Sequence, residues 1–171
     1  MITITNERFN GEHHSAIPRE VSPCEAFEDL AIHEFGFGGV VQEIAEDKLV
    51  VVTNVFGCTD KVTFAGPVDE MRSLVCLAAE FVAVRAELSG SIADVALGEF
   101  KRLNLPRNPL MVTTFLPMLV GQQLIRFVVL RAFGLDSVES LQAGKNLKDR
   151  DFVAAAHLAK ECNVPFCEVV R

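Results

Sequence analysis

At 171 residues the chain is long enough for one domain whose core buries roughly 70% of the unfolded surface. Half of it is hydrophobic and mean hydropathy is positive, which excludes general disorder; a net charge of −7, spread along the chain, excludes a broad nucleic-acid footprint of clustered Lys and Arg. Thirteen Phe occur without a Trp or Tyr, so the amphipathic anchors of an aromatic recognition platform are missing.

Ile2–Thr5 alternates apolar and polar residues and reads as a short edge strand. Residues 6–22 run polar, with Gly11 and Pro18, and read as an irregular N-terminal arm. Ser22-Pro23 ahead of Glu25 marks a helix start, with Ser22 as cap and proline in the first turn. The helix Cys24–Phe35 then gathers Phe27, Leu30 and Ala31 on one face, and Gly36, Gly38 and Gly39 end it.

Three segments rich in Val, Ile, Thr and Phe follow: Gly39–Ala45, Lys48–Phe56 and Lys61–Ala65. The connections Glu46-Asp47 and Gly57-Cys58-Thr59-Asp60 are short and polar, which favours antiparallel neighbours and predicts a three-stranded meander over about 39–66. After Gly66-Pro67 a long helix, Val68–Leu88, keeps Asp69, Ser73, Cys76, Glu80 and Glu87 on a narrow polar stripe, the pattern of a helix packed on most sides.

Ser89-Gly90-Ser91 breaks the chain, Ile92–Leu103 reads as a further helix, and residues 104–109 as a loop. Leu110–Leu130 has the length of a membrane span, but it carries Thr113, Thr114, Gln122, Gln123 and Arg126 with Pro117 inside. It reads as a broken, buried helix pair: Asn108-Pro109 starts it, Pro117 kinks it and Gly134 stops it. Asp136 and Glu139 form a capping box for a short helix ending at Gly144, and Asn146 and Asp149 open the last long helix. Residues 163–171 fit a terminal strand or another helix turn. The predicted fold is a single α+β domain over 1–171: the meander packed on a layer of about five helices, with short terminal strands.

Two resemblances meet at the C-terminus. Leu158-Ala159, Cys162-Asn163-Val164 and Val169 resemble the middle of a helix-turn-helix, which implies a left-handed Asn163 and a recognition helix in PFCEVVR. That helix would offer Arg171 as its one base-reading side chain. NLKDRDFVAAAHLAKECNVPFCEVV is similar to the closing helix–strand unit of Ras-like GTPases, which implies a strand at VPFCEVV. The phosphate loop G-x-x-x-x-G-K-[ST] and the N-K-x-D motif of that family are absent, so nothing would hold a triphosphate.

No motif specifies a reaction. Five scattered cysteines, an odd number, read as free thiols in a reducing compartment, and no signal peptide is visible; a cytoplasmic protein is expected. Glu12-His13-His14 is the densest ligand cluster, with His33 and Glu34 elsewhere, and Cys162-x4-Cys167 lacks zinc-knuckle spacing; no metal or cofactor is expected. Cys58 and Cys76 are the nucleophile candidates, and Asp60 beside Cys58 disfavours its thiolate. Polar groups on buried helices supply the candidate ligand-binding residues: Gln122, Gln123, Arg126, Cys76 and Glu80. The alternative for these groups is satisfied hydrogen bonding between packed helices.

The leading functional expectation is therefore a non-enzymatic cytoplasmic interaction protein, such as an adaptor, inhibitor or assembly factor, homo-oligomeric through the 109–134 helical region. Neither membrane insertion nor nucleic-acid binding is expected. One alternative is a small-ligand-binding protein or enzyme with a pocket between sheet and helices. A second is a transcriptional regulator using the C-terminal segment.

Overall fold

The computed structural model describes residues 1–55, 57–88 and 125–171. The fold is α+β. Its sheet has six antiparallel strands: β1 (Ile2–Phe9), β2 (His13–Ser15), β3 (Arg19–Val21), β4 (Val40–Ile44), β5 (Lys48–Val55) and β6 (Cys58–Ala65). The meander β4–β5–β6 forms as the alternation predicts. The sheet order is β2-β1-β6-β5-β4, and β3 also pairs with β1.

The N-terminal expectations need correction. β1 is twice the length read from the sequence and is not an edge strand: it pairs with β6 along its length, while β2 and β3 line its other side end to end. The segment 6–22, expected as an irregular arm, thus contains the end of β1 and two further strands. Five of the six residues in β2 and β3 are exposed, so no inward hydrophobic alternation marks them; backbone pairing to β1 holds them in place. At the other hairpin β6 begins at Cys58, with Gly57 at φ 80° in the turn, so Cys58-Thr59-Asp60 is strand rather than loop.

One face of the sheet builds the core. Ile4, Phe64 and Leu49 lie directly opposite one another on three neighbouring strands, and Val62 is paired with Val51 one step along; all five are buried. Two helical segments cover this face. The first is α1 (Pro23–Glu28), which runs directly into a π-helical turn, Asp29–Phe35. The second is α2 (Val68–Leu88), which starts after Pro67 as the sequence predicts. Ser22 and Glu25 close a reciprocal capping box at the start of α1, and the Ser22 bonds hold the Glu25 carboxyl below its usual range. Phe35 stacks on Phe81 at 3.9 Å, joining the π turn to α2.

Behind α1 lies a second helical group. A helix over residues 125–132 (α3) ends at Gly134, whose φ of 69° admits the left-handed cap; Leu135 N–H then donates to Leu130 O at 2.8 Å. α4 (Val138–Ala143), α5 (Asp149–Cys162) and α6 (Phe166–Val169) complete the group. Phe27 of α1 stacks on Phe133 and meets the edge of buried His157 of α5.

The C-terminal helices differ from the expectation in their caps and in the last element. The α4 cap is Ser137, which accepts from Ser140 N–H, not Asp136. α5 starts at Asp149, one of the two residues expected to open it, but Lys148 and not Asn146 is its cap, and no side chain caps it. Residues 166–169 are helical, not the strand implied by the GTPase likeness. Asn163 turns left-handed at φ 53° and a one-turn helix drops Phe166 into the core against Phe152, at 5.0 Å. That one turn spans about 6 Å, too short to lie along a DNA groove as a recognition helix.

No helix among the described residues is long and apolar enough to cross a membrane. The helix predicted at Ile92–Leu103, the Asn108-Pro109 start and the Pro117 kink lie outside the described residues.

Candidate functional site

The core face of the sheet turns polar at one end. Two residues beyond Asn6, Val62 and Val51, the same alternation delivers Arg8, Asp60 and Thr53, again directly opposite one another on three strands. Arg8 grips Asp60 through two hydrogen bonds of 2.7 Å, which hold the Asp60 carboxylate below its usual range. Thr53 is buried and donates its hydroxyl to Glu34 Oε2 at 3.1 Å.

Glu34 reaches that row because of the π turn. Such turns carry an extra residue per hydrogen-bonded ring and recur at functional sites. This one stacks Asp29, His33 and Glu34 over the polar end of the sheet. Gly39 allows the close approach that follows: its N–H donates to Glu34 O at 2.8 Å, and a Cβ there would stand 2.6 Å from that oxygen and 2.7 Å from Val51 Cγ1.

The two layers leave a cleft of about 300 Å³. Its floor is Ile4, Asn6, Val62 and Phe64; Asp29, His33 and Glu34 form one wall, and the loop Ala16-Ile17 with Arg19 of β3 forms the other. The segment expected as an irregular arm therefore supplies a wall of the site. Arg19 pairs with Asp29, and His33 Nε2 lies 3.7 Å from the same carboxylate. A neighbouring cleft of about 320 Å³ shares Arg19, Asp29 and His33 and adds Glu28, which pairs with Arg150 at 2.9 Å.

Glu34 stands apart electrostatically. Burial pushes its carboxyl up to about 7, and the charges of Asp60 and Asp29 add to the rise against the Thr53 hydrogen bond. It forms no ion pair among the described residues. By contrast Arg8, Asp60, Arg19 and Asp29 are all paired.

The residues singled out from the sequence sit elsewhere. Gln122 and Gln123 lie outside the described residues. Arg126 is committed to structure: it donates to Asp149 Oδ1 at 2.7 and 3.1 Å, to Leu147 O at 2.7 Å and to Gly144 O at 3.3 Å, and its guanidinium lies 5.1 Å from the centre of the Phe152 ring. Glu80 Oε2 is buried and lies 3.0 Å from Arg131 Nε, an ion pair that joins α2 to α3 without hydrogen-bond alignment. Cys76 is exposed one turn earlier on α2. Neither cleft is lined by Cys76, Glu80 or Arg126.

The described thiols and ligands do not assemble. Burial and Glu28 push the Cys24 thiol up, away from the reactive thiolate. No group of three His, Cys, Asp or Glu that could hold a metal ion exists among the described residues. Glu34, which the sequence reading placed only among scattered metal-ligand types, is the residue it missed. A signal was present: Glu34 falls seven residues after Phe27, on the stripe of Phe27, Leu30 and Ala31, where a charge has to be buried.

This chain matches no protein-family model, curated protein or solved structure. The geometry of the cleft is therefore the basis for a functional reading.

Proposed function

We propose that the protein binds a small molecule in the cleft between the π turn and the sheet, with Glu34 as the group that meets it. One observation carries this reading. Glu34 is a largely buried carboxyl with a single hydroxyl partner and no ion pair among the described residues, and it lines an open cleft whose floor is uncharged. Concave sites that combine apolar surface with a few polar groups of perturbed acidity are where ligands are found. A carboxyl poised near neutrality is also suited to passing a proton, so the binding reading extends to an enzyme without requiring one.

The test is a fragment screen by backbone-amide NMR on the full chain, with fragments of either charge and of none. Binding in the cleft shifts the amides of Ile17, His33 and Glu34 together. Ile17→Arg, which fills the mouth from an exposed position, removes those shifts. If no fragment of any charge perturbs this group, the reading is overturned.

The apolar sheet edge favours a second reading, a cytoplasmic interaction protein. β4 ends the sheet, and Phe37, Val40 and Ile44 on and beside it are exposed. A second copy, covering this edge or the apolar 109–134 region, would make the protein a homodimer. Sedimentation velocity across a wide concentration range tests it: a mass that stays monomeric removes the homo-oligomer.

A further inference from the structure

We propose that the cleft selects a small organic base, a compact apolar body bearing one ammonium or amidinium group, which binds with its cation on the Glu34 carboxylate. The inference rests on the cleft being a ligand site and adds the charge and shape of the ligand.

Charge complementarity is the first argument. The cations near the site are already engaged: Arg19 with Asp29, and Arg8 with Asp60. An anion entering the cleft would find no uncommitted guanidinium and would face Asp29 and Glu34. A cation would find Glu34, the one buried acid there without an ion pair among the described residues. His33 lies on the exposed rim against Asp29 and offers an anion no enclosed partner.

Shape is the second argument. Ile4, Val62 and Phe64, with the neutral amide of Asn6 beside them, give the floor no charge, and Ile17 at the mouth is 91% exposed, an apolar side chain held out with nothing on it. A ligand that laid a hydrocarbon body against Ile17 would cover that exposed apolar surface. The volume of about 300 Å³ is at the lower end for ligand sites, so that body is no larger than a single ring or a short chain.

The proton balance follows. Below neutrality Glu34 holds its proton, and an alkylammonium ligand arrives already charged. Forming the ion pair therefore moves the Glu34 proton to the buffer: protonated protein and charged ligand give ionised protein, bound cation and one released proton. The groups facing Glu34 are Asp29 and His33 on its own turn, Thr53 on β5, Asp60 on β6 and Arg19 on β3, with Arg8 on β1 behind Asp60. The two arginines and two aspartates remain paired throughout, and loss of the release in Glu34→Gln assigns the proton to Glu34 rather than to its neighbour His33.

Benzylamine, benzoate and benzyl alcohol share one ring and differ in charge, and they form the test. Benzylamine should shift the Ile17, His33 and Glu34 amides, and benzoate should bind at least tenfold more weakly. Calorimetry of benzylamine near pH 6 in two buffers of different ionisation heat should give a release approaching one proton, falling toward zero near pH 8. Glu34→Gln should weaken benzylamine at least tenfold and abolish the buffer dependence; the proton count on the unaltered protein stands even if that variant fails to fold. Benzoate or benzyl alcohol binding in the cleft as tightly as benzylamine would overturn the cation assignment while leaving the cleft a ligand site. Benzylamine binding there without proton release would also overturn it. Silence from all three overturns it as well, and the wider fragment screen then decides whether the ligand site falls with it.

Discussion

Replacing Glu34 with glutamine should remove a pH dependence of stability that the natural chain carries. In the unfolded chain this carboxyl loses its proton around the ordinary 4.5, whereas in the fold burial holds the proton up to about 7. Between those values the unfolded state binds fewer protons than the folded one, so stability falls as pH rises. The contribution is whole below about 4.5 and gone above about 7. At 1.36 kcal/mol per unit the loss amounts to about 3 kcal/mol. Glutamine preserves the shape and an oxygen for the Thr53 hydroxyl but cannot ionise. The variant should match the natural chain near pH 4.5 and exceed its stability by about 3 kcal/mol near pH 8. Urea unfolding followed by far-UV circular dichroism is the assay, because the chain has no Trp or Tyr to report by fluorescence. Taking the difference between the two proteins at each pH cancels, to first order, the contributions of the groups they share. A difference that stays flat from pH 4.5 to 8 would refute the argument, since it would mean that Glu34 ionises in the fold as it does in water.

Arg126→Met should cost about 3 kcal/mol, because it strands Asp149 and leaves the Gly144 and Leu147 carbonyls without their donor. Arg126→Lys should recover little, having no planar fork, and amide exchange across residues 144–149 should quicken in both variants; an unchanged urea midpoint would show that the clamp adds nothing. At the end of α5, Asn163→Ala should lower stability by about 1 kcal/mol through its left-handed φ of 53°, while Asn163→Gly should be neutral or stabilising. Thermal melts of both variants check the sign, and alanine matching glycine would refute the backbone account.

Elements whose own sequence carries the signal were legible. α2 has Pro67 before it and an apolar majority throughout, and it starts at Val68 as its sequence indicates. The central strand β5 announces itself in Val50, Val51 and Val52, and the Gly134–Leu135 cap in its glycine. What the sequence could not report is structure made by pairing at a distance. β2 and β3 exist because β1 has a free side, and exposed residues such as His13 and Glu20 carry no trace of it. The π turn is equally silent, since Asp29–Phe35 is compatible with an ordinary helix. The roles of the polar helix residues also depended on partners far along the chain: Arg126 meets Asp149 and Glu80 meets Arg131. The cleft combines both kinds of silence, a π turn on one wall and a distant strand on the other.

That combination bears on whether Glu34 is there for packing or for a ligand. A carboxyl kept for packing should find a cation, as Asp29, Asp60, Glu28 and Glu80 do. Failing that, glutamine would satisfy Thr53 as well and would spare the fold about 3 kcal/mol above neutrality. Glu34 has neither resolution. Arg8, the cation of the same polar row, is tied down by Asp60 through two bonds. The row thus holds its own charges balanced and leaves the one acid that lines the cleft unbalanced. Groups that weaken a fold while lining a cavity are the expected mark of a binding site, where stability is given up for function. On that logic the glutamine variant should be the more stable protein and the poorer binder. If it proved more stable and bound the same ligands with unchanged affinity, Glu34 would be a defect of packing and the cleft would lose its strongest argument.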